Sequence, residues 1–234
     1  SKTTEIRQRM QGLINKKHQG AGVTFFKTGK GQYSEHDKFL GITTPNLRKL
    51  AKEFQDISWA DLKEFIRSEY NDERAFALFI LVDKYSRGDE DIKKQVFDFY
   101  IKNMKFVNNW NLVDISAHYI IGQHIFLGLA KKSILDELVI SKNMWERRIS
   151  IVSTWYLIRQ GEVDITFKLA VKLLGDKEDL IHKATGWMLR EAGKKDINKL
   201  RGFLNKNIRK MPRTSLRYAI ERFSEKERLY FLHR

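Results

Sequence analysis

The stretch "EDLIHKATGWMLREAGKK", Glu178–Lys195, decides the fold class. Ile181, Ala184, Thr185, Met188, Leu189 and Ala192 recur at three- and four-residue steps, the mark of a helix that buries one face. Lys183, Trp187 and Arg190 fall off that stripe on a second common face. The stretch therefore predicts a helix with an apolar side and, away from it, a Trp between two cations.

The same period runs along most of the chain. In "DERAFALFILVDKYSRG", Ala75, Leu78, Phe79, Val82 and Tyr85 form an apolar stripe. In "NNWNLVDISAHYI", Trp110, Asp114 and His118 share one helical face, while Leu112, Ile115 and Tyr119 read as a core face. "LGLAKKSILDELVIS" and "DITFKLAVKLLG" are shorter cases, and strand-like alternation is scarce. The two prolines, Pro45 and Pro212, both stand where a helix can start. Segments opening with "DERAF", "NNWN", "WERRIS", "LIHKAT" and "PRTSL" begin roughly 30–38 residues apart, the period of helical-hairpin arrays. The expectation is an all-α, HEAT-like repeat solenoid, an α-α superhelix of about six hairpins with a concave basic groove. No linker splits the chain, so residues 1–234 are expected to form a single domain.

Residues 20–45, "GAGVTFFKTGKGQYSEHDKFLGITTP", break the pattern. Five of the fourteen glycines fall there (Gly20, Gly22, Gly29, Gly31 and Gly41), and the segment reads as a loop-rich insertion. Its "KTGKGQY" offers backbone amides with Lys27 or Lys30 to a phosphate, or is a plain connector. It is not a P-loop, since no Gly-Lys-Ser/Thr follows a strand.

Charge narrows the function. Lys and Arg number 44 against 29 Asp and Glu, a net +15, and a domain this basic points to a polyanionic partner. The chain has no cysteine, which removes disulfides, thiolate zinc sites and cysteine nucleophiles. The six histidines show no metal-binding spacing, so neither metal nor cofactor is expected. The opening "SKTTEIRQRM" lacks an apolar leader core, and no run approaches the ~18 apolar residues of a membrane span. A cytoplasmic protein without membrane contact is expected.

In a solenoid, equivalent helices of successive repeats lie side by side. Trp110 and Asp114, then Arg148 of "WERRIS", then Trp187 would line one groove, with Lys183 and Arg190 beside them and Arg213 and Arg217 as a basic rim. Each has a structural alternative. A Trp off a stripe packs against a neighbouring helix, a lone Asp is solvated or ion-paired, and His118 reads as a half-exposed structural residue.

The chain resembles a known family, the HEAT-like-repeat alkylpurine DNA glycosylases, or AlkD family of DNA alkylation repair enzymes. "KFLGITTPNLRKL", "NNWNLVDIS", "MWERRISIV", "IHKATGWMLREAGK" and "MPRTSLRYAIERF" carry the resemblance over most of the chain. It implies Trp110, Asp114 and Trp187 as the catalytic set and Arg148 as the basic residue of the same cleft. Arg148, Lys183, Arg190, Arg213, Arg217, Lys27, Lys30 and Arg48 are the expected DNA-binding residues. Thr43 stands where the family often has Gln. The resemblance implies hydrolysis of the N-glycosidic bond of cationic alkylated purines in duplex DNA, without base flipping, by a monomer acting at the nucleoid. A non-catalytic DNA-binding solenoid and a scaffold for acidic peptides are the alternatives from other classes.

Overall fold

A computed structural model describes all residues, Ser1–Arg234, and the protein is all-helical. The only extended pairing is one isolated bridge between Lys38 and Tyr70. The chain forms two compact units, Ser1–Ser116 and Ala117–Arg234.

The first unit contains α1 (Lys2–Gln11), α2 (Lys16–Phe25), α3 (Thr44–Glu53), α4 (Trp59–Ile66), α5 (Asn71–Arg87), α6 (Glu90–Asn103) and most of α7 (Trp110–Ala117). Its centre is α5, against which α3, α4 and α6 all pack. Every residue from Asn71 to Leu81 is buried, so α5 is enclosed on all sides rather than on one stripe. Phe65 of α4 meets Phe76 of α5 edge-on at 5.0 Å. Local signals fix the helix starts. Pro45 lies in the first turn of α3, and Ser58 and Asp61 form a reciprocal capping box at α4.

The second unit continues through a π turn (His118–Gly122), then α8 (Gln123–Phe126), α9 (Ser133–Val139), α10 (Met144–Arg159), α11 (Asp164–Leu173), α12 (Asp179–Lys195), α13 (Ile197–Asn207), α14 (Arg213–Ala219) and α15 (Glu225–Leu232). Here the repeat architecture is explicit. α10 packs on α12 and α12 on α14, forming one layer, while α9 packs on α11 in another. The α12 stripe buries as its spacing predicts: Ile181, Ala184, Thr185, Met188, Leu189 and Ala192 are all inaccessible. Gly186 lets α14 approach, because a Cβ there would stand 2.6 Å from the Ser215 carbonyl oxygen.

Three expectations need correction. Residues 20–45 are not a continuous loop, since α2 covers Gly20 and Gly22 and α3 begins at Thr44. α2 buries none of its side chains, so it has no apolar stripe to be read. The core face of α7 is Leu112, Val113, Ser116 and Ala117, while Ile115 is half-buried and Tyr119 is 41% exposed. The π turn begins at His118, and its extra residue per turn breaks the α-helical phase used to project Tyr119 inward. His118, expected to be half-exposed, is 2% exposed.

Candidate active site

Trp110 opens α7 and Asp114 follows one turn later, so both face the same way, and both line a cleft of about 480 Å³ in the first unit. Its walls are mainly apolar: Phe25 and Phe26 beside α2, Phe39, Leu47 of α3, Phe79 of α5 and Ile115 of α7. Phe26 stacks on Trp110 at 5.0 Å and on Phe39 at 4.8 Å, while Phe25 meets Trp110 edge-on at 5.7 Å. The indole is thus one layer of an aromatic stack. Arg48, on α3, lays its guanidinium 4.3 Å from the centre of the Phe79 ring.

Polar groups in this cleft are few. Besides Asp114 they include Asp72, Asn71, Asn111 and His18. The Asp72 carboxylate accepts from the Leu40 amide at 2.7 Å and the Ile42 amide at 3.0 Å, clamping the segment that enters α3. Burial pushes Asp72 above the usual carboxylate value, against the pull of those amides and of His18. Tyr100 is buried on the far side of α7 and shares a 2.9 Å hydrogen bond with Ser116. Burial pushes its hydroxyl pKa up, and the negative charge of Asp114 adds to the rise.

Lys27 and Lys30 are exposed beyond α2, Lys27 in the left-handed region at φ 54°. The loop between them does not present its amides to an anion. The Gly29 amide donates to Gln32 Oε1 at 2.9 Å and the Gly31 amide to the Glu35 carboxylate at 2.7 Å. Thr43 immediately precedes α3 and caps it with no side-chain hydrogen bond.

In the second unit, Lys183, Trp187 and Arg190 are half-buried along α12, off its core stripe. Lys183 pairs with Asp179 at 3.1 Å and Arg190 with Glu221. Arg148 on α10 is 5% exposed and donates to the Leu180 carbonyl at 2.6 Å, where α12 begins. Arg213 and Arg217 on α14 are exposed; Arg213 donates to the Leu232 carbonyl at 2.8 Å and Arg217 to the Thr214 hydroxyl at 3.3 Å.

Around Trp187 lies a cluster that sequence reading missed. Trp155 meets Trp187 edge-on at 4.9 Å, the Arg159 guanidinium lies 4.6 Å from the Trp155 ring, and Arg159 donates to His118 Nδ1 at 3.0 Å. Arginine has only donors, so that ring nitrogen accepts. Burial pulls the Arg159 pKa down, against the raising influence of Tyr119, Tyr156 and Glu191. A hint did exist in the sequence, since Trp155 and Arg159 are four residues apart on one helix.

An all-helical chain with a net charge of +15 and a Trp–Asp pair at an aromatic cleft has features suited to an enzyme that acts on nucleic acid. The chain belongs to the DNA alkylation repair enzyme family, whose model it matches over residues 6–223. Its role therefore lies in alkylation repair, with DNA as substrate. A solved structure described as a predicted DNA alkylation repair enzyme from Enterococcus faecalis is similar in fold. It has a TM-score of 0.70 and 17% identity, covering 91% of this chain and 98% of that one. No curated protein is matched. No helix is long and apolar enough to cross a membrane.

Proposed function

We propose that the protein is a monofunctional DNA glycosylase that hydrolyses the N-glycosidic bond of cationic alkylated purines, of the 3-methyladenine and 7-methylguanine type. The observation that carries this reading is the pairing of Trp110 with Asp114 on one face of α7, in an apolar cleft of a chain from this family. In the reaction, the bond between C1′ and the purine nitrogen breaks and its electron pair neutralises the cationic base. Positive charge moves onto the sugar, water oxygen attacks C1′, and the water proton passes to solvent. A base already cationic leaves without a general acid, so a single carboxylate serves where a glycosidase needs two.

Asp114, beside apolar walls, stabilises the developing sugar charge more than the ground state and orients the attacking water. Trp110 adds the attraction of an indole face for a cation, ~0.5–2 kcal/mol depending on desolvation. The family resemblance also assigns roles in the reaction to Trp187 and Arg148, which lie in the second unit. Lys27, Lys30, Arg48, Lys183, Arg190, Arg213 and Arg217 supply phosphate contacts that hold the duplex without reading sequence. The reading includes residues 1–234 as one DNA-processing domain, supported by a family match that runs across both units. It also includes a monomeric enzyme of the cytoplasmic nucleoid that engages backbone and sugar without flipping the base.

The test is single-turnover release of 7-methylguanine from methylated duplex at saturating enzyme, by wild type and Asp114→Asn. The amide keeps the shape and removes the charge. Duplex binding should persist, and release should slow by one to a few powers of ten, as for loss of one preorganised electrostatic group, ~1.4 kcal/mol of barrier per power. Equal rates from two folded, DNA-bound proteins would remove Asp114 from the mechanism. Binding without release by wild type would leave a DNA-binding protein only.

A further inference from the structure

The Asp37 side chain is fully buried in the first unit, 72 residues in sequence before Asn109, the residue it touches at the start of α7. Both carboxylate oxygens are used, and every hydrogen-bond partner donates. Arg74 donates to Oδ1; Asn109 Nδ2 at 2.6 Å, Asn71 Nδ2 at 3.0 Å and the Ser34 hydroxyl at 3.4 Å donate to Oδ2, and the His36 ring lies beyond hydrogen-bond reach at 3.7 Å. Asn109 is also held by Ser34 Oγ at 2.7 Å. Its other amide atom, Oδ1, accepts the backbone N–H of Trp110 at 2.8 Å, and its carbonyl accepts those of Leu112 and Val113 at 3.1 Å. Asn109 thus converts an anchor at Asp37 into the first turn of α7.

The neighbouring asparagines extend the clamp. Arg74 Nη2 donates to Asn108 at 3.1 Å, and its Nε to the Phe106 carbonyl at 3.1 Å. Asn111 and Asn71 exchange amide hydrogen bonds at 2.8 and 3.2 Å. All three asparagines of "NNWN" are therefore spent on one buried network, and the Trp and Asp of that helix are what it presents to the cleft.

We propose that Asp37 is a positioning residue for Trp110 and Asp114: it sets where α7 begins and in which direction that pair faces. The inference rests on the glycosylase reading for its catalytic consequence and on geometry alone for its structural one. A carboxylate is required because it is acceptor-only. An amide at position 37 would turn a donor toward Arg74 or toward Asn109 and Asn71, and a buried donor facing a donor is costly. A displacement of the order of 1 Å at a reacting group lowers rates by as much as about a hundredfold.

The experiment compares wild type, Asp37→Asn and Asn109→Ser, labelled with fluorotryptophan, which gives five fluorine resonances for the five tryptophans. Trp110→Phe assigns the resonance of Trp110. Asn109→Ser keeps a helix-capping oxygen but loses the amide donors to Asp37 and Ser34, and it serves if Asp37→Asn does not fold. The expected result is a moved or broadened Trp110 resonance with the other four unchanged. Single-turnover release should fall about ten- to hundredfold, with duplex Kd within about twofold of wild type. A lowered melting temperature with an unmoved Trp110 resonance and an unchanged release rate would overturn the proposal. If wild type releases no base, the glycosylase reading fails by itself, and the Trp110 resonance still decides whether Asp37 positions the helix.

Discussion

Trp187 makes an edge-on contact with Trp155, which in turn supports Arg159. Trp187→Ala removes the outer ring of that series. We expect it to weaken duplex binding by ~0.5–2 kcal/mol and to slow base release as well, unlike Asp114→Asn, which spares binding. Titration of labelled duplex beside single-turnover release separates the two effects; unchanged affinity would place Trp187 outside the DNA contact. At this scale the sequence discloses what lies within one helix and hides what lies between distant segments. Trp110 and Asp114 share a face because four residues separate them, and the cleft confirms that they face one way. Asp37, Arg74 and Asn109 are invisible as a set, since 37 and 72 residues separate the partners of Asp37 and no periodicity connects them. Arg148 reads as a groove cation, and only the folded chain brings its guanidinium against the Leu180 carbonyl.

Helices α12 and α14 cross so closely that Gly186 is required by space. Gly186→Ala places a methyl 2.6 Å from both the Ser215 oxygen and the Tyr218 Cβ, so the helices must separate. Overpacking of this kind costs ~1–3 kcal/mol, despite the better helix propensity of Ala. Urea unfolding measures it, and a stabilised variant would contradict the crossing. Helices α9 and α11 are joined differently: Asp136 accepts from Lys168 and Lys172, both at 3.1 Å. Hydrogen bonds from Lys172 and then Lys168 hold the Asp136 pKa below the usual carboxylate value. A depressed acid contributes stability that is present above its unfolded pKa and lost as pH falls through the folded one. Acidification below the ordinary carboxylate range should therefore remove the advantage of wild type over Asp136→Asn. Paired unfolding curves at neutral and acid pH check this, and a difference that grew on acidification would reverse the sign. Elements with a buried stripe, such as α12, were legible in advance. α2 was not, because a helix that buries nothing leaves no stripe.

For the whole molecule the net charge of +15 sets the binding thermodynamics. Each phosphate neutralised lowers the slope of log K against log salt by roughly 0.9, so duplex affinity should fall steeply with ionic strength. Removing one exposed phosphate contact, as in Arg217→Gln, should make the slope shallower by about 0.9 with no change in release rate at saturation. Fluorescence anisotropy at four salt concentrations is sufficient, and an affinity indifferent to salt would refute electrostatic docking. The helical class and the repeat were readable from periodicity over the chain. The two compact units were not, since their boundary at Ser116 and Ala117 falls within helical sequence and no linker marks it.

α2 borders the cleft through His18, Ala21, Gly22 and Phe25, yet buries no side chain. Its ties are few: the Asn15 amide to the Gly41 carbonyl at 3.0 Å, Gln19 Nε2 to the Phe39 carbonyl at 2.9 Å, and the Phe25 ring edge-on to Trp110 and to Phe26. A helix so weakly held opens locally at small free-energy cost, and its amides exchange with solvent before those of α5 or α12. Exposed Lys16, Lys17, Lys27 and Lys30 put tryptic cleavage points at both of its ends. A molecule that fills the cleft must rest against this helix and slow its opening. The rate at which trypsin severs α2 is thus a built-in gauge of cleft occupancy, readable on a gel without following any reaction.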